Sequence, residues 1–445
     1  MKGQYQLFLG LIIIISVGVS IGILYITTLK PITQVNQTTT SSSTTTTIPG
    51  TTTSITQSTT TTSTTGMTIQ TTTTTISTTT YSTTTTTIPT GKIKVDMNTG
   101  TFYFNTIDDA IDVCPDNLSE WCKITIPSGT YTLSRKTIVG DTSGVLIAKS
   151  NLEIVGAGIG KTILKRDSSV NANLFVVYKK NNVVVRQISL NSSNVNANGY
   201  LNLSLAPKPV AIFNSTNVVV DNVEAYYGNA GVAIMSGNIS NDILIKNSIL
   251  HDNGVGGVYV GSVYNITIQD NEIYNTGTKG IHQGEIYKGK IIGNKIHDNL
   301  IGMSFDGNNP QNNPQAASHT SQFLVEVSGN SIYHNKAYGI RMIDNITNVT
   351  ISNNLIFNNN QDKSPGSGGL YMFKYFGTST EGTRYSTISA NQIFDNQSVE
   401  TQSIGIRVAH NTELNYFIGN VINSTTPWYV TNYNNIFVNN IPQPT

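Results

Sequence analysis

The sequence is short of charged residues: Asp, Glu, Lys and Arg make up 11% of its 445 residues, about half the usual share. The formal net charge is +1. A nucleic-acid groove needs a stripe of basic side chains, so this composition argues against nucleic acid as a partner. Few side chains are left for acid–base chemistry, and each well-placed charge is therefore a stronger candidate for a functional role.

Cysteine is nearly absent, since Cys114 and Cys122 are the two in the chain. Their spacing matches no metal-binding motif. In an oxidising compartment we expect them to form a disulfide that closes a small loop; the alternative is a pair of buried free thiols. We expect no metal and no cofactor. A calcium ion stays an alternative, but no acidic cluster supports it.

A long apolar run opens the chain, from Leu7 to Leu29, and it contains no charge. At ~1.5 Å per helical residue it is long enough to span a bilayer. Lys2 and Lys30 flank it, so the flanking charge does not set its orientation. No small-residue cleavage site follows, which favours an uncleaved transmembrane signal-anchor over residues 1–30 rather than a removed signal peptide. The first residues also resemble archaeal pilin-type leaders, which are cut after a Lys-Gly pair, and this interpretation stays open.

Residues 31–92 are a low-complexity tract of threonine and serine with occasional proline. Such a tract has no hydrophobic period and cannot build a core. We interpret it as a disordered, O-glycosylated stalk, with an unmodified flexible linker as the alternative. We therefore expect a single-pass cell-membrane glycoprotein whose bulk is extracellular. Eleven Asn-x-Ser/Thr sequons add to this expectation: Asn36, Asn117, Asn191, Asn202, Asn214, Asn238, Asn265, Asn345, Asn348, Asn396 and Asn423.

The strongest signal is a repeat that runs from about residue 150 almost to the end of the chain. Each copy reads apolar-x-apolar-x-x-Asn-x-Ile, followed by a polar turn and Gly-Ile/Val-x-apolar. The pattern predicts short parallel strands stacked into a solenoid, because no single repeat can bury its apolar side. One corner of the solenoid is expected to carry a column of stacked side chains. Its members are Asp221, Asn247, Asn271, Asn294, Asn330, Asn354, Asn391 and Asn420.

Residues 93–135 are expected to cap the solenoid and form its first coil. Thr106 and Asp109 make a capping pair for a short amphipathic helix. Period 3.6 places four residues on the face that would cover the coil. They are Ile107, Ala110, Ile111 and Cys114.

The segment after this helix resembles the opening of the pectate-lyase-like right-handed parallel β-helix superfamily. Members often show an Ile-Pro-x-Gly-x-Tyr turn and then a Gly-x-Gly-x-x-x-Thr turn. The matching residues are Ile126, Pro127, Gly129 and Tyr131, then Gly156, Gly158 and Thr162. The resemblance implies an all-β, single-stranded right-handed parallel β-helix, which we place at residues 136–440 with about ten coils. The predicted fold class is therefore an all-β parallel β-helix with a short N-terminal cap helix and one N-terminal transmembrane helix.

A glycine begins the strand after each polar turn. The next residue is apolar in every copy and is expected to face the core, so the position after it faces solvent. That outward position holds Tyr259, His282, Ser304, Arg341, Tyr371 and Arg407, and Asp306 lies outward two residues after Ser304. Because coils stack at ~4.8 Å, His282 and Arg341 are expected about 10 Å apart, with room for a sugar between them.

An outward face with aromatic rings and guanidinium groups in line suits a polysaccharide, because rings stack on sugars and arginine binds carboxylate. We predict catalytic roles for four residues: His282 as base, Arg341 as the cation that neutralises a uronate, Tyr259 as proton donor and Asp306 as the group that orients His282. Ser304, Tyr371 and Arg407 are predicted to bind substrate.

Two functions follow from this face. The resemblance implies relatives such as polysaccharide lyases and mannuronan epimerases, which suggests a membrane-anchored enzyme acting on anionic glycans. The epimerase Asp-Pro-His motif and the clustered Asp residues of polygalacturonases are both absent from this sequence. The second hypothesis is therefore a structural or adhesive cell-surface glycoprotein that binds glycan without turnover.

Overall fold

The structure is a computed structural model that describes residues 46–48, 51–53, 91–192, 207–235, 239–307, 324–374, 382–409, 411–432 and 434–443. The predicted anchor, Leu7–Leu29, and most of the predicted stalk lie outside these ranges. Within the ranges, no helix is long and apolar enough to cross a membrane. Inside the stalk tract, Thr46–Ile48 and Thr51–Thr53 pair as a two-stranded antiparallel hairpin.

The predicted cap helix is present as Ile107–Val113. Thr106 is its N-cap residue, and the Thr106 hydroxyl accepts a hydrogen bond from the backbone N–H of Asp109 at 3.1 Å. This bond satisfies one of the backbone donors that a helix leaves free at its start. The predicted apolar face is buried, and it consists of Ile107, Ala110, Ile111 and Cys114.

A small antiparallel sheet and a disulfide hold the cap in place. The strands Ile93–Met97 and Gly100–Phe104 form a hairpin, and the first of them also pairs antiparallel with Cys122–Thr125. Cys114 and Cys122 form a disulfide with a Cα–Cα distance of 5.6 Å. The predicted pairing is therefore the one found, and it ties the end of the helix to the first solenoid strand.

Three columns of parallel strands make up the solenoid. Two strands, Asn181–Asn191 and Thr216–Tyr226, run through columns A and B, and two others, Gly256–Gln269 and Lys279–Ile292, begin in column C and end in column A. Column A also contains Cys122–Thr125, Leu152–Val155, Asn241–Lys246, Leu324–Ser328, Val349–Ser352, Thr387–Ser389, Tyr416–Ile418 and Ile436–Val438.

Column B follows column A around a corner in each coil. It contains Gly129–Leu133, Thr162–Arg166, Ile249–His251, Glu272–Tyr274, Lys295–His297, Ser331–Tyr333, Leu355–Phe357, Gln392–Phe394 and Val421–Asn423, besides the ends of the two shared strands.

Column C completes each coil. It contains Thr142–Ile147, Asn173–Tyr178, Val210–Phe213, Ala230–Ile234, Ile301–Asp306, Tyr338–Ile343, Gly368–Phe373, Ile404–Val408 and Thr426–Val430, besides the starts of the two shared strands. The short strand Thr137–Val139 pairs antiparallel with the first of these. The coils in the described ranges agree with the predicted number of about ten.

The core is a stack of like residues, one from each coil. In column C the residues predicted to face inward are all nearly inaccessible: Val232, Val258, Ile281, Met303, Ile340, Leu370 and Ile406. Each lies directly over the next in register. Branched side chains in this position pack on their copies above and below, so each coil supplies the apolar cover that its neighbour needs.

A buried ladder of asparagine amides lines the corner between columns A and B. Each side-chain Nδ2 donates to the Oδ1 of the next member at 2.9–3.0 Å. The same Oδ1 accepts the backbone N–H of the preceding member. Buried amides need such partners, and here every coil supplies them to the next. The members are Asn271, Asn294, Asn330, Asn354, Asn391, Asn420 and Asn440.

The prediction was wrong for the first two members of this column. Asn247 lies one residue before the ladder position of its coil and Asp221 lies two residues before it, and Asn247 donates to Asp221 Oδ1 at 2.9 Å. Ser248 occupies the inner place, and its backbone N–H donates to Asn271 Oδ1 at 2.9 Å. Asn247 has a left-handed backbone, with φ of 52°. A left-handed residue precedes the ladder position in other coils as well, as Asp270 does before Asn271; the error lay in counting back from Ile249, whereas Leu250 is the register partner of Ile273.

Candidate functional site

The outward face of column C brings the predicted site residues into one row. Tyr259, His282, Ser304 and Arg341 occupy the same register in four consecutive coils. Each follows a buried residue in a parallel strand, so period-2 alternation turns its side chain outward. Asp306 lies two residues after Ser304, on the same side of its strand.

Asp306 is the centre of a compact group of polar side chains. Its Oδ2 lies 2.5 Å from Lys279 Nζ and 2.9 Å from His282 Nε2. Its Oδ1 accepts a hydrogen bond from the Ser304 hydroxyl at 2.6 Å and lies 3.4 Å from Arg341 Nη2. We call these five residues the Asp306 cluster. The space predicted between His282 and Arg341 is thus occupied by a carboxylate that contacts both of them.

Burial and charge set the protonation of this cluster. Burial alone would raise the pKa of Asp306, but His282, Lys279 and Arg341 outweigh it and hold that pKa well below its ordinary range. Burial lowers the pKa of Lys279, against the pull of Asp306. Burial also lowers the pKa of His282, and the charge of Lys279 adds to this effect although Asp306 opposes it. At neutral pH the cluster therefore holds an ionised Asp306 and a neutral His282.

Two further features set the character of His282. Its ring packs edge-on against Tyr259, with centroids 5.0 Å apart. Its Nδ1 atom is buried and has no hydrogen-bond partner in the described residues. Burial raises the pKa of Tyr259, and the nearby Asp306 adds to the effect. The phenol therefore keeps its proton at neutral pH.

Lys279 is the member of the cluster that the sequence pattern did not reveal. Strict period-2 alternation was applied only from Gly280 onward. The residue before the glycine, Lys279, was therefore not assigned to the outward face. A Cβ on Gly280 would lie 2.6 Å from both Gly302 O and Ile296 Cγ2, inside the coil. Gly280 and Ile281 thus both face inward, and the bend leaves Lys279 and His282 together on the outer surface. A lysine directly before the repeat glycine is the signal that would have identified it.

Tyr371 and Arg407 form a second group further along the same row. The Arg407 guanidinium lies 4.7 Å from the Tyr371 ring centroid and 4.8 Å from that of Tyr429. Tyr371 also stacks on Tyr338 and on Phe373, with centroids 5.2 Å and 4.4 Å away. Tyr371 is the register neighbour of Arg341. The row therefore continues from the ionic cluster into an aromatic patch that holds one cation.

None of the described residues forms a group of three or more His, Cys, Asp or Glu side chains suited to a metal ion. In the Asp306 cluster, both carboxylate oxygens already contact protein donors.

A column of stacked rings on the outer side of column B was not predicted. Consecutive centroids lie 4.8–5.2 Å apart, with nearly parallel planes. The rings cover one another's faces, so no face is left for a sugar to stack on. We therefore assign the column to stability rather than to binding. Its members are Tyr226, His251, Tyr274, His297, Tyr333, Phe357 and Phe394.

Comparison with known proteins agrees with this architecture. Residues 188–319 match a family model described as a right handed beta helix region. The fold is a right-handed parallel β-helix, as predicted from the turns of the sequence. No curated protein sequence matches the chain.

Two solved structures from Azotobacter vinelandii share the fold. The A-module of mannuronan C-5 epimerase AlgE6 is 17% identical, with a TM-score of 0.51, over 72% of this chain and 90% of the module. The A-module of mannuronan C-5 epimerase AlgE4 is 18% identical, with a TM-score of 0.50, over 70% of this chain and 90% of the module. At these identities the likeness shows the fold alone.

Proposed function

We propose that the protein binds an anionic polysaccharide along the outward face of column C and acts on it by lyase or epimerase chemistry. The observation that carries the proposal is the Asp306 cluster. Lys279 and Arg341 bring two positive charges to one negative charge on Asp306, so the cluster keeps a net charge of about +1 while His282 is neutral. Such a site attracts a sugar carboxylate. The shared fold with two mannuronan C-5 epimerase modules supports a polysaccharide as the ligand class.

Proton abstraction next to a uronate carboxylate needs a cation, a base and an acid. Arg341 or Lys279 neutralises the carboxylate, so that the negative charge formed beside it is stabilised. His282 takes the proton at Nδ1, because Nε2 contacts Asp306 and Lys279 and the lowered pKa keeps the ring neutral near pH 7. This step requires the sugar to reach Nδ1, which is buried in the free protein. Asp306 then stabilises the protonated ring through the contact at 2.9 Å.

The remaining predicted residues have supporting roles in this proposal. Tyr259 packs on His282 and keeps its proton, so it returns a proton to the sugar in an epimerase or to the leaving oxygen in a lyase. Ser304 positions the Asp306 carboxylate. Arg407 binds a neighbouring sugar through its charge, and Tyr371, which is buried and stacked on Tyr338 and Phe373, positions the Arg407 guanidinium.

The alternative is a glycan-binding surface protein without turnover. One observation favours it: the charged groups of the cluster already pair with one another, as they do in a purely structural ion network. An enzyme requires that substrate compete for Arg341 or Lys279, whereas a scaffold does not.

The purified full chain should be incubated with a panel of polyuronates and neutral glycans of matched length. We expect binding to polyuronates that weakens by about tenfold or more in Arg341→Ala, because a direct charge contact is lost. Lys290→Ala, an exposed lysine of column A, is the matched control and should change little. Ultraviolet absorbance reports lyase products, and proton NMR reports inversion at C-5. Polyuronate binding without either product would favour the scaffold; no binding to any glycan would refute the proposal.

We also propose that residues 1–30 anchor the protein in a membrane and that residues 31–92 hold the β-helix outside the cell. The uncharged run Leu7–Leu29 and the threonine-rich tract support this. Protease added to intact cells should release the β-helix by cutting within the tract, because unfolded segments are cleaved first. Release only after lysis would reverse the proposed topology.

A further inference from the structure

The outer surface changes character in the last two coils, at the corner between columns A and B. Three outward positions of each coil can be compared there, because the register is continuous. In the last two coils all six positions are apolar and between 38% and 65% exposed. We call this set the apolar corner: Tyr416, Ile418, Val421, Ile436, Val438 and Ile441.

The three preceding coils carry a different surface at the same positions. Strand register aligns nine residues with the apolar corner: Glu326, Ser328, Ser331, Thr350, Ser352, Leu355, Thr387, Ser389 and Gln392. Leu355 is the one apolar residue among them. The core does not require the change, because these positions point away from it while Phe417 and Ile422 between them stay buried. The apolar corner therefore needs an explanation outside the solenoid.

Open strand edges adjoin the apolar corner. Among the described residues, Ile436–Val438 pairs only with Tyr416–Ile418, and Thr426–Val430 pairs only with Ile404–Val408. The other edge of each strand has no partner strand among the described residues. An exposed edge beside a contiguous apolar patch marks a surface suited to association with another protein.

We propose that a second copy of this chain covers the apolar corner in a twofold-symmetric pair. A symmetric contact places the same patch on both sides, so the patch must fit itself. No member of the corner is charged, and two copies therefore meet without like-charge repulsion. Other occupants fit less well: a membrane surface would need lysine or arginine around the patch, and a glycan would need polar side chains and more rings than Tyr416 supplies.

The area of the apolar corner together with the adjoining strand edges suits contact with a second copy of the chain. Six half-exposed apolar side chains present on the order of 500 Å², within the range of patches that function in association. A stable interface buries about 800 Å² on each partner. The adjoining edge of Ile436–Val438 extends the contact toward that value. The proposal does not depend on the proposed glycan function, which concerns the face of column C.

Val438→Glu in the full chain tests the pair directly. In register, Val438 lies next to Ile418, which lies next to Ser389, so Ser389→Glu is a control with the same charge on the same column. Sedimentation equilibrium in density-matched detergent should show a wild-type dimer of 48.1-kDa chains. We expect Val438→Glu to weaken it by about 30-fold or more, because burying an unpaired charge is costly. Ser389→Glu should change it by less than about threefold.

A cross-link gives the second measurement. Both native cysteines form the disulfide, so Val438→Cys adds a lone thiol near the centre of the patch. Oxidation should give a covalent dimer for Val438→Cys and much less for Ser389→Cys. A wild-type protein that stays monomeric at about 100 μM would overturn the proposal. So would a dimer that persists unchanged in Val438→Glu, since another segment would then hold it.

Discussion

Asp306→Ala is expected to destabilise the protein by about 2–4 kcal/mol, because it leaves Lys279 and Arg341 close together without their shared counter-charge. Removing one partner from a buried group of paired charges costs more free energy than the intact group contributes. The remaining charges stay desolvated and no longer have an opposite charge beside them. The side chain of Asp306 is 28% exposed, which places the expected loss below the full cost of a completely buried pair. Chemical denaturation of the wild type and variant measures it.

Asp362→Ala supplies the control, because Asp362 is an exposed carboxylate in a described loop. Its loss should change the free energy of unfolding by less than about 0.5 kcal/mol. If Asp306→Ala also changed the free energy of unfolding by less than about 0.5 kcal/mol, Asp306 would contribute no net stability. Asp306→Asn should fall between them, because an amide still accepts the Ser304 hydrogen bond but carries no charge.

The pH dependence of the same variant follows from the direction of the Asp306 pKa. An unfolded carboxyl takes up its proton near 3.8, while the folded Asp306 stays ionised below that pH. Its contribution to stability is therefore present above pH 3.8 and declines as the pH falls further. The difference between wild type and Asp306→Ala should be constant near neutral pH and shrink between about pH 4 and pH 2. A difference that grows between about pH 4 and pH 2 would contradict the lowered pKa of Asp306.

His282→Ala is expected to lower turnover of an anionic glycan by about 100-fold or more while leaving the fold intact. The prediction rests on the proposed function. His282 is the base there, and alanine removes both the proton acceptor and the ring that Asp306 orients. Initial rates by absorbance or NMR give turnover, and circular dichroism checks the fold. Unchanged turnover in a folded variant would place the reaction elsewhere.

The matched control for this experiment is His297→Phe. His297 stacks between Tyr274 and Tyr333 on column B, and a phenylalanine ring occupies the same column at Phe357. The substitution therefore removes a histidine and keeps the stack, and turnover should stay within about twofold of wild type. A similar loss in both variants would point to stability rather than catalysis.

The acid side of the rate profile tests the same assignment. The pKa of His282 is lowered from 6.5 by burial and by the charge of Lys279. A base works in its neutral form, so activity should persist below pH 6.5 and fall only as the pH drops through the lowered value. Lys279→Met removes one cation beside the ring, and the acid limb of the profile should then move to higher pH.

The architecture was predictable from the sequence because it rests on local rules that recur in every coil. Alternation placed Ile281, Met303 and Ile340 in the core, and all three are buried. Thr106 and Asp109 were enough to predict the start of the cap helix. The disulfide followed from two cysteines with no other partner. Repetition strengthens such predictions, since the same inference is made once for each coil.

The corner column shows where local rules stopped. Counting back from Ile249 aligned Asn247 with Asn271, whereas the strand register pairs Leu250 with Ile273 and places Ser248 at the ladder position. Ile249 and Leu250 are adjacent and both apolar, so the repeat pattern did not show which of them enters the coil. Leu250 is the buried one, and the packing of the coils therefore decided the alignment.

The sequence by itself determined the solenoid, its cap and the row that holds His282, Ser304 and Arg341. The tertiary structure alone decided that these residues converge on Asp306 and that Lys279 joins them. Lys279 and Asp306 are 27 residues apart in sequence, and Arg341 and Ser304 are 37 apart. Stacking makes such residues neighbours, and the inward bend at Gly280 brings the lysine to the outer face. The repeat therefore predicts which residues share the outward position of column C. The contacts among these residues and their neighbours depend on how the coils pack.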